Sequence, residues 1–117
     1  MELSSINQLD SIYKQYIETS KQIIEKLHVF LQNKDLSVSC EDVKKNELHF
    51  TFWGLKFIAK AEILFNQNMK MGEINTYFCN SGEEISIFTY EFSEVGDFGN
   101  RIIIETFPKD YIEKFID

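Results

Sequence analysis

Residues 47–65, ELHFTFWGLKFIAKAEILF, are the stretch of sequence that decides the fold. From Leu48 to Phe52 every second side chain is apolar, which is the pattern of a half-buried β-strand. After Gly54 the alternation resumes one residue out of phase and continues to Phe65. A one-residue slip at a glycine is typical of a β-bulge or of a tight hairpin, because either device returns the apolar set to one face. The sequence is compatible with both.

The sequence before this stretch has a different period. Apolar residues recur at steps of three and four and predict an amphipathic helix over about residues 5–32, with Ser5 and Gln8 as a capping box. The repeating positions are Ile6, Leu9, Tyr13, Tyr16, Ser20, Ile23, Leu27 and Phe30, of which only Ser20 is polar. Such a helix is roughly 40 Å long, too long to be hidden in a chain of 117 residues. It must therefore lie across a sheet or against another chain.

Alternating segments elsewhere predict further strands at residues 36–40, 69–79, 85–92 and 101–106, and Pro108 opens a short C-terminal helix. Short turns between the strands favour antiparallel neighbours. The sequence thus predicts one α+β domain spanning residues 1–117. In it, the long N-terminal helix packs on a five- or six-stranded antiparallel meander that a short C-terminal helix follows.

The two faces of this sheet have different predicted roles. The face with Val38, Phe50 and Phe57 is expected to take the long helix. The opposite face is expected to be polar and solvent-exposed in the strands nearest the N-terminus. In the later strands it is expected to be apolar, where it carries Tyr77, Phe88, Tyr90, Phe92 and Ile103. Either the C-terminal helix or another chain covers that late aromatic set.

Composition narrows the classes of partner. Nineteen acidic residues against twelve basic ones leave a formal charge of −7. Phosphate contacts need Lys and Arg, so we expect neither nucleic acid nor an anionic membrane surface as a partner. A basic protein fits this charge, and solubility alone is the simpler explanation. No long apolar run or leader pattern is present, which predicts a cytoplasmic protein. Cys40 and Cys79 are then expected to be free thiols.

No catalytic, cofactor-binding or metal site is predicted. His28 and His49, the two histidines, are not at ligand-like spacing from Cys, Asp or Glu. The tripeptide Asp97-Phe98-Gly99 matches a magnesium-binding motif of protein kinases, but the other kinase motifs are missing, so we interpret it as a turn.

Trp53 is the strongest candidate for a binding residue. It is the single tryptophan and is predicted to share a sheet face with His49 and Thr51, as an aromatic anchor among small polar groups. The alternative is that Trp53 packs over a sheet edge or under the C-terminal helix. Acidic side chains at the strand ends are the candidates for attracting a partner, namely Glu41, Asp42, Glu47 and Glu62.

No motif identifies a family. The small, acidic profile rich in Phe, Ile, Lys and Asn is similar to that of immunity proteins that neutralise bacterial toxins and of small phage-encoded inhibitors. It also resembles type III secretion chaperones, which are acidic α+β homodimers. Those chaperones place a helix between their third and fourth strands, whereas here only residues 66–68 separate the two.

Three functional hypotheses follow from these observations. The leading one is a non-enzymatic protein-binding module, an inhibitor or immunity-type protein that neutralises a basic partner. The second is a small-molecule-binding protein or enzyme with an aromatic pocket between helix and curved sheet, lined by Trp53, Tyr77 and Tyr90. The third is a homodimeric chaperone-like or structural protein.

Overall fold

The computed structural model describes residues 3–32 and 38–116 and confirms the α+β fold. Its elements are α1 (Leu3–Gln32), β1 (Val38–Cys40), β2 (Glu47–Phe52), β3 (Leu55–Phe65), β4 (Lys70–Asn80), β5 (Glu83–Phe92) and α2 (Phe107–Ile116). The expected capping box is wrong, because α1 already begins at Leu3 and Ser5 lies inside it. Leu36 of the predicted first strand lies outside the described residues.

The five strands form one antiparallel sheet in the order β1-β2-β3-β4-β5. Phe52 pairs with Leu55, so Trp53 and Gly54 are a two-residue hairpin loop rather than a bulge. Their φ angles of 53° and 81° are both positive, as a type I′ turn requires. Ser81 and Gly82 join β4 to β5 in the same way, with φ angles of 53° and 85°. These turns match the right-handed twist of the strands they connect.

Both helices pack on one face of the sheet, which we call the inner face. It consists of Leu48, Phe50 and Phe52 of β2 with the residues that pair with them across β3, β4 and β5. From α1, Ile23, Ile24 and Leu27 are fully buried against it. At Gly72 a Cβ would overlap the ring of Phe92, so only glycine lets that ring lie on the backbone of β4. The middle of the inner face is thereby buried, whereas Leu55 and Ile85, toward the end with the two-residue turns, stay partly exposed.

The expectation for the late aromatic residues is half wrong. Phe88 pairs with Thr76 and Thr76 with Ala59, so Phe88 lies on the inner face together with the early apolar residues. Tyr90 and Phe92 follow Phe88 at alternate positions and lie there too. Tyr77 is the exception and lies on the opposite face. The C-terminal helix does cover Phe88 and Tyr90, through Tyr111, but on the same face as α1.

Residues 101–106 do not form the sixth strand that the sequence allowed. The segment makes a single bridge, between Ile103 and Asp97, and is otherwise a series of turns. Asn100 and Arg101 both have positive φ, and the Ile102 amide donates to the Gly99 carbonyl at 2.8 Å. These local bonds use the backbone groups that a strand would offer to a neighbour.

Helix α2 is held to the sheet by aromatic rings and one buried hydrogen bond. Phe107, Tyr111 and Phe115 lie on one side of the helix and contact the rings of the inner face. Tyr111 is fully buried, and its hydroxyl is 2.7 Å from Thr76 Oγ1, where either oxygen can donate. Burial raises the pKa of Tyr111 above its ordinary value. The neutral hydroxyl therefore anchors the helix at the centre of the sheet.

A double-mutant cycle on Tyr111 and Thr76 measures the strength of this hydrogen bond. We expect Tyr111→Phe to lower the free energy of unfolding by about 1–3 kcal/mol, because the Thr76 hydroxyl would be left buried without a partner. Adding Thr76→Val removes that orphaned group, so the double variant is expected to be more stable than Tyr111→Phe alone. Urea unfolding of the wild type, both single variants and the double variant measures the coupling. Additive losses would show that the two hydroxyls do not interact.

Candidate functional site: the outer face of the sheet and the Trp53 turn

The second face of the sheet, which we call the outer face, has no helix on it among the described residues. Its side chains are those that alternate with the inner set, and register places them in rows across the strands. They are Ser39, Glu47, His49, Thr51, Lys56, Ile58, Lys60, Glu62, Leu64, Met71, Glu73, Asn75, Tyr77, Cys79, Glu84, Ser86, Thr89 and Glu91. Five glutamates stand there against two lysines, so the uncovered face is acidic.

Lys60 is the central cation of the outer face. Its Nζ donates to Glu84 Oε2 at 3.0 Å and lies 5.1 Å from the centre of the Tyr77 ring. The hydrogen bond to Glu84 raises the pKa of Lys60, so it stays charged and neutralises that glutamate. Desolvation and the nearby Glu62 carboxylate raise the pKa of Tyr77, whose hydroxyl donates to Glu62 at 3.4 Å. Lys60 and Tyr77 thus form the polar centre of this face.

Three carboxylates form a row across β3, β4 and β5. Glu62 pairs directly with Glu73, and Glu73 pairs with Glu91. Among the described residues no lysine or arginine forms an ion pair with any of them, and Asn75 is the neutral donor to Glu73, at 3.5 Å. Like charges directly opposite each other on a sheet are destabilising. We call Glu62, Glu73 and Glu91 the carboxylate row.

The residues proposed from the sequence are divided among three places, two of them on or beside the outer face and the third at the Trp53 turn. His49 and Thr51 lie on the outer face, where His49 Nε2 is 3.2 Å from Glu47 Oε1. Glu41 and Asp42 are exposed just beyond the end of β1, and the Glu41 amide donates to the His49 carbonyl at 2.9 Å. These residues form one acidic corner. Glu62 lies farther along β3, in the carboxylate row.

Trp53 lies at the hairpin turn and not on the face with His49. Its side chain is 59% exposed, and its ring contacts the edge of Phe52 at a centroid distance of 4.5 Å. The alternative that it packs under the C-terminal helix is therefore wrong. The neighbouring Leu55 is 50% exposed, so the turn presents two large apolar side chains together.

The backbone at Trp53 is unfavourable for a tryptophan. A φ of 53° is in the left-handed region, where a bulky side chain is an outlier. The first loop position of a type I′ turn ordinarily takes Asn, Asp or Gly. The chain thus holds its single tryptophan exposed, at a position where the fold itself favours another residue. Local conflicts of this kind are expected at functional sites.

Two concave regions of the described structure are large enough to be considered as ligand sites. A hollow of about 200 Å³ on the outer face includes His49, Thr51, Lys56 and Cys79, and a groove of about 650 Å³ lies between the helices over Val29 and Pro108. Within residues 3–32 and 38–116 no three His, Cys, Asp or Glu side chains are grouped as metal ligands.

The aromatic pocket of the second functional hypothesis does not form around its three expected residues. Trp53 lies at the turn, Tyr77 on the outer face and Tyr90 on the inner face, so they share no site. Tyr90 is instead bonded within the fold, since its hydroxyl donates to Asp110 Oδ2 at 2.6 Å.

Sequence reasoning missed Glu73 and Glu91 as members of a site. Each is unremarkable alone, since both alternate with apolar neighbours as any outer-face residue does. Their alignment with Glu62 depends on the register of two hairpins, one with a four-residue loop and one with an irregularity between Thr76 and Tyr77. The turn signal at Gly82 fixes where β4 and β5 meet, so counting residues outward from it could have paired Glu91 with its partner in β4. That count also requires knowledge of the irregularity.

Comparison of the chain with protein-family models, curated proteins and solved structures finds no match. In the described part of the chain, neither α1 nor α2 combines the length and apolar character needed to cross a membrane. The architecture and the exposed groups are therefore the basis for any functional proposal.

The two cysteines are free and half-buried. They lie on β1 and β4, three strand spacings or about 14 Å apart, whereas a disulfide needs Cα atoms within about 7 Å. Desolvation raises the pKa of both thiols, and the nearby carboxylates of Asp42 at Cys40 and Glu84 at Cys79 raise it further.

We expect the melting temperature to be unchanged by reductant and both thiols to react slowly with a thiol reagent at pH 7. A lower melting temperature in reductant would reveal a bridge.

Substituting Trp53 tests its role in the free protein. We expect Trp53→Asn to remain within about 1 kcal/mol of the wild type in free energy of unfolding, because relief of the left-handed backbone offsets the lost contact with Phe52. Trp53→Ala loses the same contact without that relief and is expected to be the less stable of the two variants. Chemical denaturation measures both. A loss above about 3 kcal/mol in the Asn variant would mean that Trp53 is a core residue.

Proposed function

We propose that this chain is a non-enzymatic protein-binding module that neutralises a basic protein, as inhibitors and immunity-type proteins do. The observation that carries the proposal is the uncovered acidic outer face, flanked by an exposed Trp53 at one end of the sheet. We further propose that the protein acts in the cytoplasm, where Cys40 and Cys79 stay reduced.

The charge arrangement supports a basic partner. The carboxylate row sets Glu62, Glu73 and Glu91 side by side without a cationic partner among the described residues, at a cost in stability. Lysines and arginines of a bound protein would replace this repulsion with attraction. Long-range attraction would also raise the rate of encounter between the two proteins. Glu41, Asp42 and Glu47 extend the acidic surface toward β1.

The Trp53 turn supplies the apolar part of such an interface. Trp and Arg dominate the binding energy of interfaces when they are fully desolvated at the centre. The Trp53 side chain is 59% exposed and Leu55 is 50% exposed, so both have area left to bury. Because the Trp53 turn is a two-residue loop on a long hairpin, the anchor is presented with little freedom to lose on binding.

Kinetics with a basic partner test the proposal, and the protein encoded beside this chain is the first candidate to purify. We expect the association rate to fall steeply with salt while the dissociation rate changes little, because steering is screened by ions. Trp53→Asn is expected to act mainly on the dissociation rate, at a cost of about 2 kcal/mol or more. Surface plasmon resonance at several salt concentrations separates the two effects.

A matched pair of charge variants distinguishes the effect of the outer-face carboxylates on association from the effect of net charge. Replacing Glu62, Glu73 and Glu91 with Gln should lower the association rate about tenfold or more at low salt and raise the stability of the free protein. The control replaces three exposed glutamates of the helix layer, Glu18, Glu25 and Glu113, with the same change in net charge. Equal effects of the two sets would mean that only total charge matters, and the outer face would lose its role.

A further inference from the structure

The first half of α1 carries an apolar stripe that the other described residues leave largely exposed. The buried residues of the helix begin at Tyr16. Before it, the side chains of Leu3, Ile6 and Tyr13 are 73%, 48% and 40% exposed, while Leu9 is half-buried. These positions recur at steps of three and four, so they lie on one side of the helix.

This stripe continues the seam by which α1 packs on the sheet. The Asn46 side chain donates a hydrogen bond to Ser20, and the Asn46 carbonyl accepts one from the Ala61 amide, so Ser20 lies near Ala61 of β3. Tyr13 and Tyr16 instead contact Phe65, at the end of β3. Going back along α1 therefore leads outward along β3 to its last residue. The helical turns before Tyr13 therefore extend past the end of β3. Their apolar side faces the space beyond the sheet. A short helix unsupported by packing is marginal in water.

Charge identifies what can cover the stripe. Residues 3–15 carry one acidic and one basic side chain, Asp10 and Lys14, which pair with each other at 3.0 Å. This segment is neutral in a chain of charge −7, so it offers nothing to attract a basic partner. Two copies that met through their outer faces would oppose their carboxylate rows. Two copies that met through residues 3–15 would bring together neutral apolar surfaces only.

We infer that the amino-terminal half of α1 pairs with the same segment of a second copy of this chain. The pairing is antiparallel, because a parallel partner helix would run into the space that the inner face occupies from Tyr16 onward. With the two-fold axis near Leu9, Ile6 of one copy lies against Tyr13 of the other. The interface is isologous and closes as a dimer. The outer face of each copy stays free, so this inference is independent of the proposed function.

The size of the surface sets the strength of the pairing. Four turns of helix offer roughly half of the ~800 Å² per partner that a standard stable interface buries. We therefore expect a weak dimer with a dissociation constant in the range of about 10 µM to 1 mM. Added salt should strengthen the dimer, because it screens the repulsion between two copies of charge −7. A complex with a basic partner has the opposite salt dependence.

Sedimentation equilibrium with a matched pair of variants tests the inference. Ile6 and Val29 are both β-branched residues of α1 with similar exposure, 48% and 52%, but Val29 lies in the groove toward α2 and away from the stripe. We expect Ile6→Gln to weaken the dimer at least about tenfold and Val29→Gln to leave it unchanged. Circular dichroism confirms that both variants are folded. A wild type that stays monomeric to about 1 mM would overturn the inference, and so would equal effects of the two variants.

Disulfide trapping tests the orientation. Equal amounts of Ile6→Cys and Tyr13→Cys chains, mixed and oxidised, should form the mixed disulfide in preference to either homodimeric one, with linkages assigned by mass mapping. A preference for the linkage between two copies of Ile6→Cys would show parallel pairing and overturn the proposed geometry.

Discussion

The contact of α2 with the sheet is the interaction on which the rest of the architecture depends. Phe107, Tyr111 and Phe115 fill the half of the inner face that α1 leaves open, and the Tyr111–Thr76 hydrogen bond fixes the centre of this contact. Without α2, Phe88 and Tyr90 would face water. Because one helix follows the sheet and the other precedes it, both ends of the chain are used to cover a single face.

This one-sided covering explains the character of the outer face. With the phenylalanine rings of the strands on the inner face, the outer face is left with polar side chains, the Tyr77 ring and a few apolar side chains, such as Ile58, which neighbouring side chains bury to 6% exposure. The face needs no second layer for stability. It can therefore tolerate the repulsion within the carboxylate row, which a covered face could not, because buried carboxylates without partners are far more costly.

The sequence predicted the fold well where a period repeats over many residues. The long helix and the strands at Glu47–Phe52 and Leu55–Phe65 were visible because the helical period repeats over 30 residues and the strand alternation over 6 and 11 residues. The face of Phe88 was assigned wrongly because alternation fixes sides within a strand but not across a loop of four residues and an irregular pairing. The 101–106 segment is rich in Ile, yet the positive φ of Asn100 and Arg101, where the segment begins, cannot be read from composition.

The candidate site was only partly predictable for the same reason. Trp53 was singled out as a lone aromatic residue, but its exposure depends on whether Gly54 ends a strand or bends one, a choice that periodicity left open. His49 and Thr51 were placed on the correct face because they lie within a single strand. The carboxylate row spans three strands, and its existence depends on pairings that no local pattern specifies.

The sequential order of the strands also bears on how the chain reaches this structure. Each strand pairs with the one before it across a short turn, so most sheet contacts close small loops and cost little chain entropy. Topologies dominated by such local pairings fold faster than those with distant ones. The contacts of the helices with the sheet are more distant, and the contact between α1 and α2 is the most distant of all, since it joins opposite ends of the chain. The β3–β4–β5 hairpins can therefore assemble early, and the docking of α2 beside α1 closes the longest loop of the fold.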